Sequence, residues 1–153
     1  MRDKLRLIAS GKITNGFYLI EKLAFGADLC NSARGMMFAL GCIQALQCNA
    51  NTCPTGVTTQ NPRLVRGLVV ESKAQRVANF HRATVESALE LAGAMGINHL
   101  NELTPQHIFH RVSRAKSVPY DSLYPHLQEG ELLDNKDSSP YIEDWRQASS
   151  EYF

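Results

Sequence analysis

No stretch of this chain is apolar for the length a membrane span requires, and neither sign of charge is in excess: Lys plus Arg number 16 against 15 for Asp plus Glu, scattered along 153 residues. That scatter leaves no basic stripe for a phosphate backbone and no acidic tail, so nucleic acid is not an expected partner. The apolar run after Met1-Arg2-Asp3-Lys4-Leu5-Arg6 is too short for the hydrophobic part of a secretory signal. A cytoplasmic protein that does not engage a membrane is therefore expected. There is no internal repeat, and no His lies among the clustered cysteines. Disorder is excluded by a hydrophobic content of 44% with 20% charged residues, and the length suits one ordinary domain with a real core.

What is present is a cysteine cluster. Cys42-Ile-Gln-Ala-Leu-Gln-Cys48-Asn-Ala-Asn-Thr-Cys53-Pro54 sets three thiols within 12 residues, with gaps of five and four. Structural zinc usually takes cysteines about two to four residues apart. Thiolates are the soft ligands that iron–sulfur clusters require, and a Cys-Pro ending is shared with ferredoxin-type runs. Spacing thus favours an iron–sulfur cradle, with one corner lacking a nearby fourth cysteine, over zinc or plain burial. Cys30 stands apart, and core packing is its expected role.

The segments around the cluster alternate. Leu5 to Ser10 reads as a buried strand closed by Gly11, and Asn15-Gly16 opens a helix with Phe17, Ile20, Leu23 and Ala24 at helical spacing, capped near Gly26. Ala27 to Ser32 is a second strand, and Met36 to Ala45, apolar almost all round, a helix buried on most sides. Strand, helix, strand, helix implies parallel strands with right-handed crossovers, hence an α/β class. Asn61-Pro62 starts a short helix ending near Gly67. From Ser72 onward Val77, Phe80, Thr84, Ala88, Leu91 and Met95 recur every three or four residues, which predicts a long amphipathic helix ended at Gly93 or Gly96. Thr104-Pro105 starts another short helix through Arg111. His107 and His110 are three apart on it and, like His81, His99 and His126, lack partners at metal-ligand spacing; exposed helix histidines are expected. Beyond Pro119 come Pro125, Gly130, Pro140, the polar run Asp134 to Ser139, and the aromatics Tyr120, Tyr124, Tyr141, Trp145, Tyr152 and Phe153. This tail is expected to drape over a larger body with its aromatics as anchors.

Two turns follow the strands, Ser10-Gly11-Lys12 and Ser32-Ala33-Arg34-Gly35. Glycine lets backbone N–H groups approach an anion, a following helix N-terminus adds positive potential, and Lys or Arg supplies charge-assisted bonds. Taken alone, the same residues suit ordinary turns with solvated cations equally well.

Leu7-Ile-Ala-Ser-Gly-Lys-Ile13, Gly26-Ala-Asp28, Ala33-Arg-Gly-Met-Met-Phe-Ala-Leu-Gly-Cys42 and Asn51-Thr-Cys-Pro-Thr-Gly-Val57 with Gln60 together resemble the end of the FMN-binding barrel of the glutamate synthase family. The resemblance is closer still to FMN-binding members with no attached glutaminase domain. It runs through Val77-Ala-Asn-Phe-His81 and loosely into the tail. It implies an α/β fold forming the C-terminal part, the last two βα units, of a (β/α)8 TIM-type barrel, followed by a helical and irregular C-terminal extension. Residues 1–97 would be the partial barrel, with the iron–sulfur loop at about 42–60, and residues 98–153 an extension packing on it.

By the same resemblance Cys42, Cys48 and Cys53 would ligate a [3Fe-4S] cluster, and Ser10, Gly11, Lys12, Ala33 and Arg34 would hold the phosphate of FMN. The reaction implied is formation of glutamate from 2-oxoglutarate and ammonia by reduced FMN, with electrons delivered through the cluster. The partners implied are the remainder of the barrel and an electron donor such as ferredoxin or an NAD(P)H-oxidising flavoprotein. Many members carry glycine where Lys12 stands and Gly-Thr where Ala33-Arg34 stands; His is frequent at the place of Asn49, and Ala at that of Thr58. No catalytic residue, flavin-ring contact or 2-oxoglutarate contact is assignable, and there is no N-terminal cysteine nucleophile for glutamine hydrolysis. Met1 is expected to be a start inside a longer reading frame. As an isolated chain the expectation is a fragment with little or no activity. The alternatives are an inactive truncated remnant or interaction module, whose strand edges and apolar face would be uncovered, and another FMN barrel oxidoreductase with a different substrate.

Overall fold

A computed structural model describes residues 2–134 and 139–152. Met1, the centre of the polar run 134–139, and Phe153 among the expected anchors lie outside the described residues. The chain divides into two units, Met1–His107 and Ile108–Phe153.

The first unit begins with a single 3-10 turn at Arg2–Lys4, then β1 (Ile8–Ser10), α1 (Gly16–Ala24), β2 (Leu29–Asn31) and α2 (Arg34–Leu40). β1 and β2 pair in parallel, with Ile8 opposite Leu29, Ala9 opposite Cys30 and Ser10 opposite Asn31. Both strands are shorter than the apolar runs that announce them. Asn15 ends the first loop by capping α1, its side chain accepting from the Tyr18 N–H at 3.0 Å. At the far end Gly26, in the left-handed region at φ 96°, lets the chain leave toward β2. The Asp28 carboxylate then accepts from the Leu7 N–H at 2.7 Å and pairs with Arg2 at 2.9 Å, pinning the start of β1 to that of β2.

An irregular loop, 41–61, leads to α3 (Pro62–Val65), whose start follows the expected Asn-Pro logic: Asn61 Oδ1 accepts from the Arg63 N–H at 3.0 Å. α4 (Val70–Ala94) packs on both α1 and α2. All six residues of its expected stripe, Val77 to Met95, are at least half-buried. The core of this unit is Ile13, Ile20, Ala24, Ala39, Ala88, Ala92, Ile97 and Leu103, rich in alanine because the helices approach closely.

Three expectations are corrected here. The strands are not buried: Ile8 and Leu29, opposed in register on one sheet face, are 58% and 57% exposed, because no element among the described residues covers that face. The helix expected to run to Ala45 stops at Leu40, where Gly41 turns left-handed at φ 106°, and Ile43 and Leu46 are exposed on the loop beyond it. The helix expected from Thr104 through Arg111 is a 3-10 turn, Pro105–His107, followed by β3 (Phe109–Arg111), which pairs antiparallel with β4 (Ser117–Pro119) in the second unit. His107 and His110 therefore do not share a helix. Aromatic and β-branched residues (Phe109, Val112, Val118) flank a polar turn there, and cross-strand pairing outweighs a weak helix start. The second unit continues with α5 (Tyr120–Leu123), α6 (Glu131–Asp134) and α7 (Ile142–Gln147). In it Tyr120 and Tyr124 meet edge-on with centroids 5.8 Å apart, and the Tyr141 hydroxyl donates to the Pro125 carbonyl at 2.8 Å.

Candidate functional site

Parallel pairing brings the carboxyl ends of β1 and β2 side by side, with Ser10 opposite Asn31. The chain leaves β1 through Gly11 and Lys12, both left-handed at φ 101° and 56°. It leaves β2 through Ser32 and Ala33 directly into α2. Ser32 Oγ donates to the Ile13 carbonyl at 2.6 Å and ties the two turns together. Gly35 passes so close beneath that a Cβ there would lie 2.7 Å from Ser32 Oγ and 3.1 Å from the Ile13 carbonyl oxygen. Only glycine fits.

Between these turns opens a cavity of about 530 Å³. Ser10, Gly11, Lys12, Ala33 and Arg34 all line it, with Tyr18 and Phe38 as apolar walls and Gln44 reaching in from the cysteine loop. Lys12 and Arg34 are its only charged lining residues among those described, so the cavity is electropositive. The Asn15 side chain takes up the Tyr18 N–H of α1, whereas Ala33 offers α2 no side-chain cap. The donors and cations an anion needs thus gather where the two turns meet.

Loop 41–61 carries the three clustered thiols, all free: Cys42 and Cys53 half-buried, Cys48 exposed. It is held by its own polar contacts rather than by a core. The Gln44 N–H donates to Cys42 Sγ at 3.4 Å. Asn51, left-handed at φ 60°, accepts from the Gln60 N–H at 2.7 Å through Oδ1 and from Thr59 Oγ1 at 2.7 Å through its carbonyl. Gln44 and Leu46 are left-handed as well, at φ 55° and 56°. Three such non-glycine residues in one loop persist only where surrounding contacts over-determine them.

Cys53 has the most polar surroundings of the three. Thr55 Oγ1 lies 3.3 Å from its sulfur. That hydroxyl, then the Thr58 and Thr55 backbone N–H groups, stabilise the thiolate and bring the pKa from 9.0 down to about 6. Thr58 Oγ1 contributes least; it is buried, and geometrically it makes no hydrogen bond to any described group. Cys30, half-buried on β2 itself, behaves oppositely, burial pushing its thiol up. Among the described residues no three His, Cys, Asp or Glu side chains meet closely enough to hold a single metal ion. The donor set nonetheless fits a cluster in kind, being three thiols of one loop with hydrogen bonds to two of the sulfurs.

Sequence reasoning placed the five turn residues, and the structure brings all five to one cavity. It placed the three cysteines, which share a loop without converging. It missed Gln44, for which there was no local signal. It also left Asn51, Thr55 and Thr58 without roles, although an Asn ahead of Thr-Cys-Pro-Thr-Gly is the residue type that tolerates a left-handed turn.

A sequence profile for the conserved region in glutamate synthase matches residues 1–98. Among curated relatives, the glutamate synthase large subunit-like protein YerD of Bacillus subtilis is 42% identical over 123 residues, covering 80% of this chain and 23% of that protein. An archaeal glutamate synthase (NADPH) of Methanocaldococcus jannaschii is 38% identical over 103 residues, 67% of this chain and 20% of its own length. The glutamate synthase (NADPH) large chain of Azospirillum brasilense is 30% identical over 116 residues, 75% of this chain and 8% of its own. The chain thus spans less than a quarter of the curated relatives it matches. With the profile covering most of its first unit and these relatives most of its length, the chain belongs to the glutamate synthase family.

Proposed function

We propose that this chain is the C-terminal part of a glutamate synthase-type oxidoreductase, its two βα units closing a (β/α)8 barrel that the remainder of the protein or a second chain completes. The observation that carries the reading is the convergence of Ser10, Gly11, Lys12, Ala33 and Arg34 on one electropositive cavity at the carboxyl ends of parallel strands, with the cysteine loop at its rim. That end is where barrel enzymes hold their ligands, and the last two strands commonly hold a phosphate. The uncovered Ile8–Leu29 face supports the same architecture, because parallel sheets are ordinarily covered on both faces.

In this reading Lys12 and Arg34 neutralise the phosphate of FMN while the Gly11 turn and the uncapped first turn of α2 offer backbone N–H groups. Each hydrogen bond to the charged phosphate contributes about 1.5–3 kcal/mol. Ser10 and Ala33 complete the set of residues around the phosphate, and Ser32 ties the two turns together beneath it. Cys42, Cys48 and Cys53 would hold a [3Fe-4S] cluster, and Cys53, largely thiolate at neutral pH, is prepared to ligate first. Reduced flavin, when bound, would supply hydride for reducing the imine of 2-oxoglutarate and ammonia, and the cluster held by the three cysteines would supply it with electrons, the donor being a ferredoxin or an NAD(P)H-oxidising flavoprotein. The setting is cytoplasmic, and no described helix is long and apolar enough to cross a membrane.

Anaerobic purification of the chain with iron and sulfide tests this. A brown protein whose visible absorption disappears in Cys48→Ser is expected. A colourless protein that takes zinc instead would overturn the cluster assignment. The uncovered apolar face also favours a second reading, a non-enzymatic interaction module; a soluble, monomeric, metal-free chain that binds no flavin would establish it.

A further inference from the structure

The geometry points to Gln44 as a further binding residue of the strand-end cavity, one that makes ligand occupancy felt at Cys42. The inference rests on the cavity being an anion site, as proposed above, and adds to it a specific contact and a consequence.

Three observations converge on this residue. Gln44 is the one cysteine-loop residue lining the cavity that holds Lys12 and Arg34. Its backbone N–H donates to Cys42 Sγ at 3.4 Å. Its backbone is left-handed at φ 55°, a conformation that glutamine adopts only when held there. The larger apolar residues near it, Ile43 and Leu46, are 65% and 86% exposed and supply little packing to hold it. The described restraint on this turn is the hydrogen bond to Cys42, while the residue itself lines a cationic cavity.

A phosphate-bearing ligand drawn in by Lys12 and Arg34 meets in Gln44 a neutral donor able to complete its coordination from the third side. That contact fixes the residue whose amide holds the Cys42 sulfur. Occupancy of the cavity and ordering of the first cysteine are thereby linked, and linkage is reciprocal. A charge of the wrong sign at position 44 works against both.

The test uses the full chain purified without iron, with FMN and inorganic phosphate as separate probes. Affinity is read by calorimetry and the alkylation rate of each cysteine by mass spectrometry, with and without probe. In the unaltered chain FMN binds and slows Cys42 alkylation several-fold. Gln44→Ala weakens binding about tenfold, the effect of one lost hydrogen bond to a charged group, and abolishes the protection of Cys42. Gln44→Glu weakens it further. Gln44→Gly, which accepts the left-handed backbone and keeps the N–H, controls for folding: it binds as weakly as the alanine variant. Phosphate behaving like FMN assigns the contact to the phosphate group; FMN alone responding assigns it to the rest of that ligand and overturns the anion contact. Equal affinity and equal Cys42 protection in the unaltered chain and Gln44→Ala would overturn the inference while leaving the cavity's role standing. Failure of the unaltered chain to bind either probe would overturn the anion-site reading and this inference with it.

Discussion

At Lys12 two demands on one residue oppose each other. Its ammonium is one of two cations at the cavity, yet its backbone sits at φ 56°, where a side chain costs about 1–2 kcal/mol. Lys12→Gly removes that cost but returns about 0.4–1 kcal/mol of unfolded-chain entropy. The net expectation is a variant more stable by about 0.5 kcal/mol in urea denaturation that binds phosphate more weakly; a destabilised variant would show that the lysine side chain has structural contacts of its own. The thiols make a second prediction at this scale. With its pKa lowered to about 6, Cys53 is mostly ionised at neutral pH, so its alkylation by iodoacetamide should rise with pH about a midpoint near 6 and level off roughly one to two pH units above it. Cys30, pushed the other way by burial, should still be accelerating above pH 9. Thr55→Val, removing the leading cause of the depression, should move the Cys53 midpoint upward; an unmoved midpoint would shift the credit to the backbone amides. Legibility followed a simple line here. Thiols and cations announce themselves by residue type, whereas what Thr55, Thr58 and Gln44 do depends on where a long irregular loop places them.

Among the elements, the α1–α4 crossing carries the unit. Gly16 begins α1 against the backbone of α4: a Cβ there would come within 2.5 Å of the Ala88 nitrogen and 2.7 Å of the Ser87 carbonyl carbon. Backbone cannot step aside as a side-chain tip can. Gly16→Ala should therefore destabilise by about 1–3 kcal/mol, read as a lower urea midpoint, even though alanine is the better helix former by about 1 kcal/mol. A neutral or stabilising result would mean the helices separate without loss. The periodicity of α4 was readable because a long helix repeats its message over many turns. The end of α2 and the hairpin β3–β4 were not readable, because in short segments one glycine or one cross-strand pair outweighs intrinsic preference.

For the whole molecule, the face bearing Ile8 and Leu29 decides behaviour. Two opposed apolar residues on a parallel pair, each more than half exposed, form a surface that water disfavours and another chain can cover. The chain alone should self-associate with rising concentration in sedimentation velocity. Ile8→Lys should suppress this while changing stability by no more than about 0.5 kcal/mol, as expected of an exposed site. A strictly monomeric unaltered chain at high concentration would mean that this face does not seek cover.

The sequence by itself determined the chemistry available: three thiols in one short run, two cationic turns after two strands, a long amphipathic helix, and the family they belong to. The family follows from resemblance and the rest from residue type and spacing, which need no partner to be read. Tertiary structure decided what that chemistry meets. Parallel register set Ser10 beside Asn31 and so fused two separate turns into one cavity. The stop at Gly41 turned the expected end of a helix into loop and carried Gln44 to the cavity rim. Both outcomes depend on contacts between residues distant in sequence, and no local pattern encodes such contacts.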